Sequence, residues 1–362
     1  GCALEMDEGH AFMRGHAAIH AVPTALALAE AHGRSGRDLI TALIAGYEVA
    51  ARCGIAGPLR AGIHPFGAWG VLGAATVAGW MKGFDAGQMA RALDIGASYA
   101  ITPAFDAAIA GANVRNTFPG VVNRLGLFAA DLVEMGFQGL TDGAAVTFGR
   151  ILGDDWQPAA LVDELGDRYE IMRGYFKPYS SCRYTHAAVE AALNLRDQIE
   201  GRVDEIAAID VEVYALAAQL DNPDPQTPLA GRFSLPYVTA ATLVYGEAGP
   251  DNFSPARLAN STVRGLAALV TVREDPALTA MTPAVRPARI TVTDRSGNRM
   301  SELVTLTTGD PDKPMAVEAL YAKFVALTGP TIGAEAAPDL WARLGRLEAE
   351  AQIGPLAPAR SG

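Results

Sequence analysis

The sequence predicts a mainly helical protein: a large all-helical domain with a smaller α+β domain inserted into it. Three observations predict this. Between Val22 and about Glu134, apolar residues recur at three- and four-residue spacing. Composition changes at "YFKPYSSCRYTH" (175–186). Strand-like alternation is confined to the stretch that follows, and helical periodicity resumes at Met315. A chain of 362 residues is long enough for two domains, and 50% hydrophobic with 19% charged content implies a large core rather than disorder. The abundance of small residues, with 38 glycines, suits close helix packing.

Taken in order, "VPTALALAEAHG" (22–33) is a helix with a proline near its start and Gly33 at its end. "SGRDLITALIAGYEVAARCG" (35–54) follows, with Ser35 as N-cap. "FGAWGVLGAATVAGWMKG", "DAGQMARALDIGASYA" and "VVNRLGLFAADLVEMG" are three more helices, the last ended by Gly136. All are apolar around most of their surface, as expected of buried helices in a bundle. From Phe137 to Gly174 the chain is looser, with short helical pieces such as "PAALVDELG". "THAAVEAALNLRDQIE" is an amphipathic helix with Thr185 as its cap, and "IAAIDVEVYA" alternates as a strand. "LDNPDPQTPLAG" is a loop, and "RFSLPYVTAATLVYG" is helical after Pro236. "ARITVTDRSGNRMSELVTLTTGDP" is a β-hairpin around Ser296-Gly297-Asn298. "VEALYAKFVALTG" and "LWARLGRLEAEAQ" close the chain as helices. The expected domains are therefore 1–175 with 311–362 (helical) and 176–310 (α+β), with a substrate cleft expected at their interface.

The net charge of −11 argues against nucleic acid and anionic membranes as general partners, but not against a small anionic substrate. Three widely spaced cysteines, Cys2, Cys53 and Cys182, give neither a disulfide framework nor a zinc pattern, so a reducing cytoplasmic setting is the expectation. No apolar run reaches the ~18 residues of a membrane span, and no signal peptide is evident. The chain starts at Gly1 rather than Met and enters its densest motif at once, so it reads as a fragment or a processed chain.

Four stretches carry chemistry. "EMDEGHAFMRGHAAIH" (5–20) holds three of the six histidines, His10, His16 and His20, beside Glu5, Asp7 and Glu8. This is either an acid/base site, imidazole being the natural proton carrier at neutral pH, or a solvated loop before a helix. The histidine spacing does not match HExxH, which argues against metal. In "GIHPFGAWG", His64 sits between Gly62 and Gly67, which permit close approach of backbone to a ligand. In "GANVRNTFPG", Arg115 offers a bidentate fork for a carboxylate, or a structural ion pair. "YFKPYSSCRYTH" places Lys177, Cys182, Arg183 and His186 just before a helix N-terminus, a reasonable carboxylate cradle. Cys182 as a nucleophile is the weaker reading there. No nucleotide fingerprint is present.

These stretches, in this order, resemble the MmgE/PrpD family. The matching pieces also include "GYEVAARCG", "FPGVVNRLGLFAADLVEMGFQG" and "GRFSLPY", and together they span nearly the whole chain. The resemblance implies a helical domain with a smaller α+β lid, a homodimer, and chemistry without metal or organic cofactor. It also implies further helices before the acidic motif. The family's acidic motif reads A-L-D-x-D-D-T-H. Here it is "ALEMDEGH", with Glu5, Asp7 and Glu8 at the acidic positions and Gly9 in place of a threonine. His16 and His64 match the two active-site histidines, Lys177 the lysine at the lid entry, and Arg115 stands where many members carry a lysine. Tyr214 is a loose candidate for a lid tyrosine.

The resemblance implies proton removal next to a carboxylate of a di- or tricarboxylic acid, as in 2-methylcitrate dehydration. Epimerisation of an amino-dicarboxylate such as iminodisuccinate, decarboxylation, and an inactive carboxylate binder are the alternatives. The expected catalytic set is His16, His64, Lys177, Glu5 and Asp7, the acids orienting the imidazoles. Arg115, Arg183 and His186 are the expected substrate-binding residues.

Overall fold

The computed structural model describes residues 2–199 and 201–356, and the chain divides into two compact units. The helical unit comprises Glu8–Ala104, Thr117–Tyr175 and Met315–Gly362. Its main helices are Ala18–His32, Gly36–Ala56, Gly70–Lys82, Ala86–Ala97 and Phe118–Glu134, followed near the C-terminus by Val317–Ile332 and Ala336–Leu344. Gly70–Lys82 is the central one, with only Trp80 and Lys82 outside the core. It crosses Gly36–Ala56 where two glycines meet: a Cβ on Gly46 or on Gly73 would lie 2.8 Å from the other's carbonyl oxygen. Ser35 caps the second helix through a reciprocal box with Asp38, and Asp85 with Gln88 does the same for the fourth. A short two-stranded sheet joins β1 (Glu8–His10) to β2 (Gly174–Phe176).

Two expectations need correction here. The first helix starts at Ala18, before Val22, and carries Pro23 inside it. Proline cannot donate to the Ile19 carbonyl four residues back. The side-chain amide of Asn123 donates to that oxygen instead, at 3.2 Å, so the helix continues. Second, Gly36–Ala56 is long and apolar enough to cross a membrane by length and composition. It is a core helix of this unit, burying Leu39, Ala42, Tyr47, Ala50 and Ala51 and carrying the Glu48–Arg52 ion pair.

The mixed unit comprises Gly1–Asp7, Phe105–Asn116 and Phe176–Pro314. Its sheet holds β3 (Ile206–Val213), β4 (Val270–Glu274), β5 (Ala288–Asp294) and β6 (Arg299–Val304) in the order β4-β3-β5-β6. β3 and β4 run parallel, with Ile209 opposite Val270; the other pairs are antiparallel, with Val211 opposite Ile290 and Thr291 opposite Ser301. Ile209, Val211, Val213, Ile290 and Val292 form one core with Ala188, Leu195, Tyr237 and Leu243 of the helices His186–Gln198 and Leu235–Tyr245. The Asp294 carboxylate accepts from the amides of Ser296 and Asn298 and closes the hairpin, with Gly297 at φ 87°.

β4 is absent from the sequence reading because "VTVRE" is a short edge strand with only half-buried valines. Thr185 does not cap the helix at His186. It continues a tight turn from Arg183, and its hydroxyl donates back to the Cys182 carbonyl at 2.9 Å. That helix ends at Gln198, and Glu200 lies outside the described residues. The end of "LDNPDPQTPLAG" is a helical turn, Pro228–Arg232, capped by Thr227. Residues 2–7 and 105–116 belong with this unit through local bonds. The Ser180 hydroxyl donates to the Leu4 carbonyl at 2.5 Å, and the Thr227 hydroxyl to that of Gly111 at 3.4 Å.

Candidate active site

In the helical unit, three imidazoles surround the ring of Phe66, which is fully buried. His64 lies 4.7 Å from it, His16 5.0 Å and His20 6.4 Å, centroid to centroid. The backbone amide of His64 donates to the Pro103 carbonyl at 2.7 Å, and its Nδ1 accepts the Phe66 N–H at 3.2 Å. His16 Nδ1 lies 2.5 Å from the Glu8 carbonyl oxygen. The Glu8 side chain is anchored separately: its carboxylate accepts from the Tyr47 hydroxyl at 2.6 Å and from the Ala18 amide at 2.9 Å. Burial beside that carboxylate pushes the Tyr47 phenol well up, so Tyr47 stays a donor.

The other two histidines of the opening motif have structural surroundings. His20 is buried against Gly70, with Nδ1 2.8 Å from the Asn123 side-chain oxygen. Burial, reinforced by the nearby His16 and opposed by the Asn123 bond, lowers its pKa to about 4, so it stays neutral. His10 points the other way, into an ion network: Nδ1 accepts the Met13 amide and Nε2 lies 3.2 Å from Glu170. Glu170 also holds Arg168 at 3.0 Å and Arg173 at 2.9 Å. Burial opposes ionisation of Glu170, but the bonds from His10 and Arg168 and the charge of Arg173 take its pKa down to about 2. Gly9, between Glu8 and His10, has no room for a side chain. A Cβ there would lie 2.3 Å from the Tyr175 hydroxyl.

The mixed unit brings together four of the expected residues. Glu5 bridges two cations, with Oε2 2.7 Å from Lys177 Nζ and Oε1 2.5 Å from Arg115 Nη1. Asp7 takes Lys177 at 3.0 Å. Arg115 also donates to the Cys2 carbonyl at 2.9 Å and lies over the ring of Phe233. Lys177 is 0% exposed, Glu5 and Arg115 are 1% exposed and Asp7 7%, so these charges compensate one another out of water. Glu5 adopts a left-handed backbone, φ 50°, uncommon for a residue with a Cβ. A fifth charge, Arg232, was missed in the sequence reading. Burial lowers its pKa against the opposing charge of Glu5, and its Nε lies 3.3 Å from the Ser180 hydroxyl. Its only signal was its place in "GRFSLPY".

Arg183 and His186 have partners away from this cluster. Arg183 pairs with Asp310, whose carboxylate also caps Thr307, and His186 Nε2 faces the Ser181 carbonyl at 3.2 Å. Burial and the Glu5 charge push the Cys182 thiol up to about 11, which removes it as a nucleophile at neutral pH. Among the described residues, no three His, Cys, Asp or Glu side chains are grouped so as to hold a metal ion.

Residues 2–151 match the MmgE/PrpD N-terminal domain and residues 179–342 the MmgE/PrpD C-terminal domain. The chain belongs to the MmgE/PrpD family. A relative within reach of sequence comparison is the cis-aconitate decarboxylase-like protein oryM of Aspergillus oryzae (strain ATCC 42149 / RIB 40). It is 24% identical over 398 aligned residues, covering 99% of this chain and 80% of that protein. In this MmgE/PrpD chain the helical unit holds two imidazoles whose rings meet main-chain groups, and the mixed unit by itself holds a buried cation pair with its carboxylates.

Proposed function

We propose that this chain is a cofactor-independent lyase that moves a proton at a carbon next to a carboxylate of a di- or tricarboxylic acid, with dehydration as its net reaction. The observation that carries the reading is the pairing of His16 and His64 on Phe66, each ring fixed by a main-chain bond. Of the three rings around Phe66, His20 is kept neutral by burial, and the proposal takes the other two for proton chemistry. Breaking a C–H bond beside a carboxylate builds negative charge on its oxygens. A positioned positive group or donor stabilises that charge by about 3 kcal/mol each. Arg115 and Lys177 are buried and held by Glu5 and Asp7 within the mixed unit, so the proposal places its proton chemistry on the two imidazoles.

Decarboxylation is a second reading, favoured by what the name of the Aspergillus relative says of that protein. Both reactions need a proton moved at carbon, and so does epimerisation. Proton NMR of the protein in D₂O with citrate, 2-methylcitrate, cis-aconitate and aspartate-type acids separates them. A new alkene supports dehydration, release of CO₂ supports decarboxylation, and deuterium uptake at one carbon without a new product supports epimerisation. No change with any acid would refute the lyase and leave a carboxylate-binding protein.

A further inference from the structure

The two imidazoles on Phe66 meet main-chain groups of opposite kind. His16 Nδ1 lies 2.5 Å from the carbonyl oxygen of Glu8. A carbonyl oxygen only accepts, so Nδ1 carries the proton and the lone pair of the neutral ring is on Nε2. His64 Nδ1 lies 3.2 Å from the backbone nitrogen of Phe66. A main-chain N–H only donates, so this Nδ1 keeps its lone pair and the proton sits on Nε2. In their neutral forms the two rings therefore differ at Nε2: a lone pair on His16, an N–H on His64.

We propose that these main-chain contacts divide the chemistry between the histidines: His16 Nε2 takes the proton from carbon, and His64 Nε2–H is a neutral donor to the oxygen on which charge develops. This rests on the reading above, proton transfer next to a carboxylate. In the forward step the C–H bond breaks and the proton joins His16 Nε2, making an imidazolium. The electron pair moves into the adjacent carboxylate as an enediolate, whose oxygen accepts from His64 Nε2–H. The enediolate collapses to the alkene by expelling hydroxide from the next carbon, and that hydroxide takes the His16 proton to leave as water. His64 begins and ends with one proton. Protonating its Nδ1 would set an N–H against the Phe66 N–H, so the ring acts as a neutral electrophile.

Glu8 is the positioning residue for His16. Its carbonyl sets the tautomer, and its carboxylate, clamped by the Tyr47 hydroxyl and the Ala18 amide, sets where that carbonyl points. The next strand residue but one, His10, locks the same strand through Glu170.

The test is a long-range ¹H–¹⁵N spectrum of the full chain with ¹⁵N-labelled histidine at alkaline pH, the signals assigned by their loss in His16→Gln and His64→Gln. We expect the Nδ1–H tautomer at His16 and the Nε2–H tautomer at His64; the opposite tautomer at either ring overturns the proposal. Tyr47→Phe is expected to give a mixture of tautomers at His16 and leave His64 unchanged. An unchanged His16 in that variant removes the positioning role of the Glu8 clamp. On a substrate turned over by the wild type, glutamine can replace a donor but not a base. His64→Gln is therefore expected to keep about tenfold more turnover than His64→Ala, while His16→Gln is no better than His16→Ala. The reverse order overturns the division of roles. Expected tautomers with no proton exchange on any carboxylic acid would instead sink the lyase reading, and the catalytic roles with it, while leaving the tautomers standing.

Discussion

Acid should destabilise this protein in a window set by one buried imidazole. His20 has its pKa lowered from 6.5 to about 4, chiefly because burial disfavours the charged ring. A group whose folded pKa is depressed stabilises the fold fully above its unfolded value and loses that contribution as pH falls toward the folded one. The His20 term is thus complete above pH 6.5 and lost between 6.5 and 4. At about 1.36 kcal/mol per unit, the loss is about 2 kcal/mol by pH 5 and approaches about 3 kcal/mol at pH 4. The assay is urea unfolding at pH steps from 7.5 to 4.5, comparing wild type with His20→Gln. The glutamine variant starts from a lower stability, since it gives up the fit against Gly70, but its stability should fall less steeply with acid. The difference in slope is the quantity of interest, because the other histidines are common to both proteins. Parallel curves across that window would show that His20 is not held neutral by burial, and the argument for its structural role would fail.

Three further outcomes follow from the same geometry. Glu170, with its pKa taken down to about 2, contributes above pH 4.5 and loses that contribution as pH falls toward 2; Glu170→Gln should cost about 3 kcal/mol at pH 7 and flatten the stability curve below pH 4.5, both read by urea unfolding. Gly70→Ala should destabilise by about 1–3 kcal/mol, because the new Cβ would lie 2.3 Å from the His20 ring, and combining it with His20→Ala should recover part of that loss in a double-mutant cycle. Burial pushes Cys53 up to about 12 and Cys182 up to about 11, so a thiol reagent at pH 8 should leave both unmodified until denaturant is added; rapid labelling of all three cysteines in the native protein would contradict the packing.

The helices were legible because their signals are local. Ser35 and Asp85 lie three residues before the acid or amide that completes each capping box, and the apolar spacing that follows is long. The hairpin at Ser296-Gly297-Asn298 was legible for the same reason, since Asp294 closes it from within five residues. What escaped the sequence depends on partners far along the chain. Pro23 sits inside a helix because Asn123, a hundred residues away, accepts the job of bonding Ile19. β4 forms because β3 offers it a parallel edge.

The crowded opening motif shows most clearly why residue type underdetermines a site. Its three histidines have the same intrinsic chemistry, yet each Nδ1 meets a different group: the Met13 amide at His10, the Glu8 carbonyl at His16, the Asn123 side chain at His20. The strand at Glu8–His10 turns His10 toward Glu170, and the helix beginning at Ala18 carries His20 under Gly70. The acids separate likewise: Glu8 goes to Tyr47, while Glu5 and Asp7 go to Lys177 and Arg115. Three histidines and three carboxylates in sixteen residues read either as one acid/base cluster or as a solvated loop before a helix. The backbone distributes them among an ion network, a ring held by a main-chain carbonyl, a neutral core position and a cation clamp. What distinguishes these fates is the group each Nδ1 meets: a main-chain amide and a main-chain carbonyl, which every sequence contains and none advertises, and a side-chain oxygen a hundred residues away.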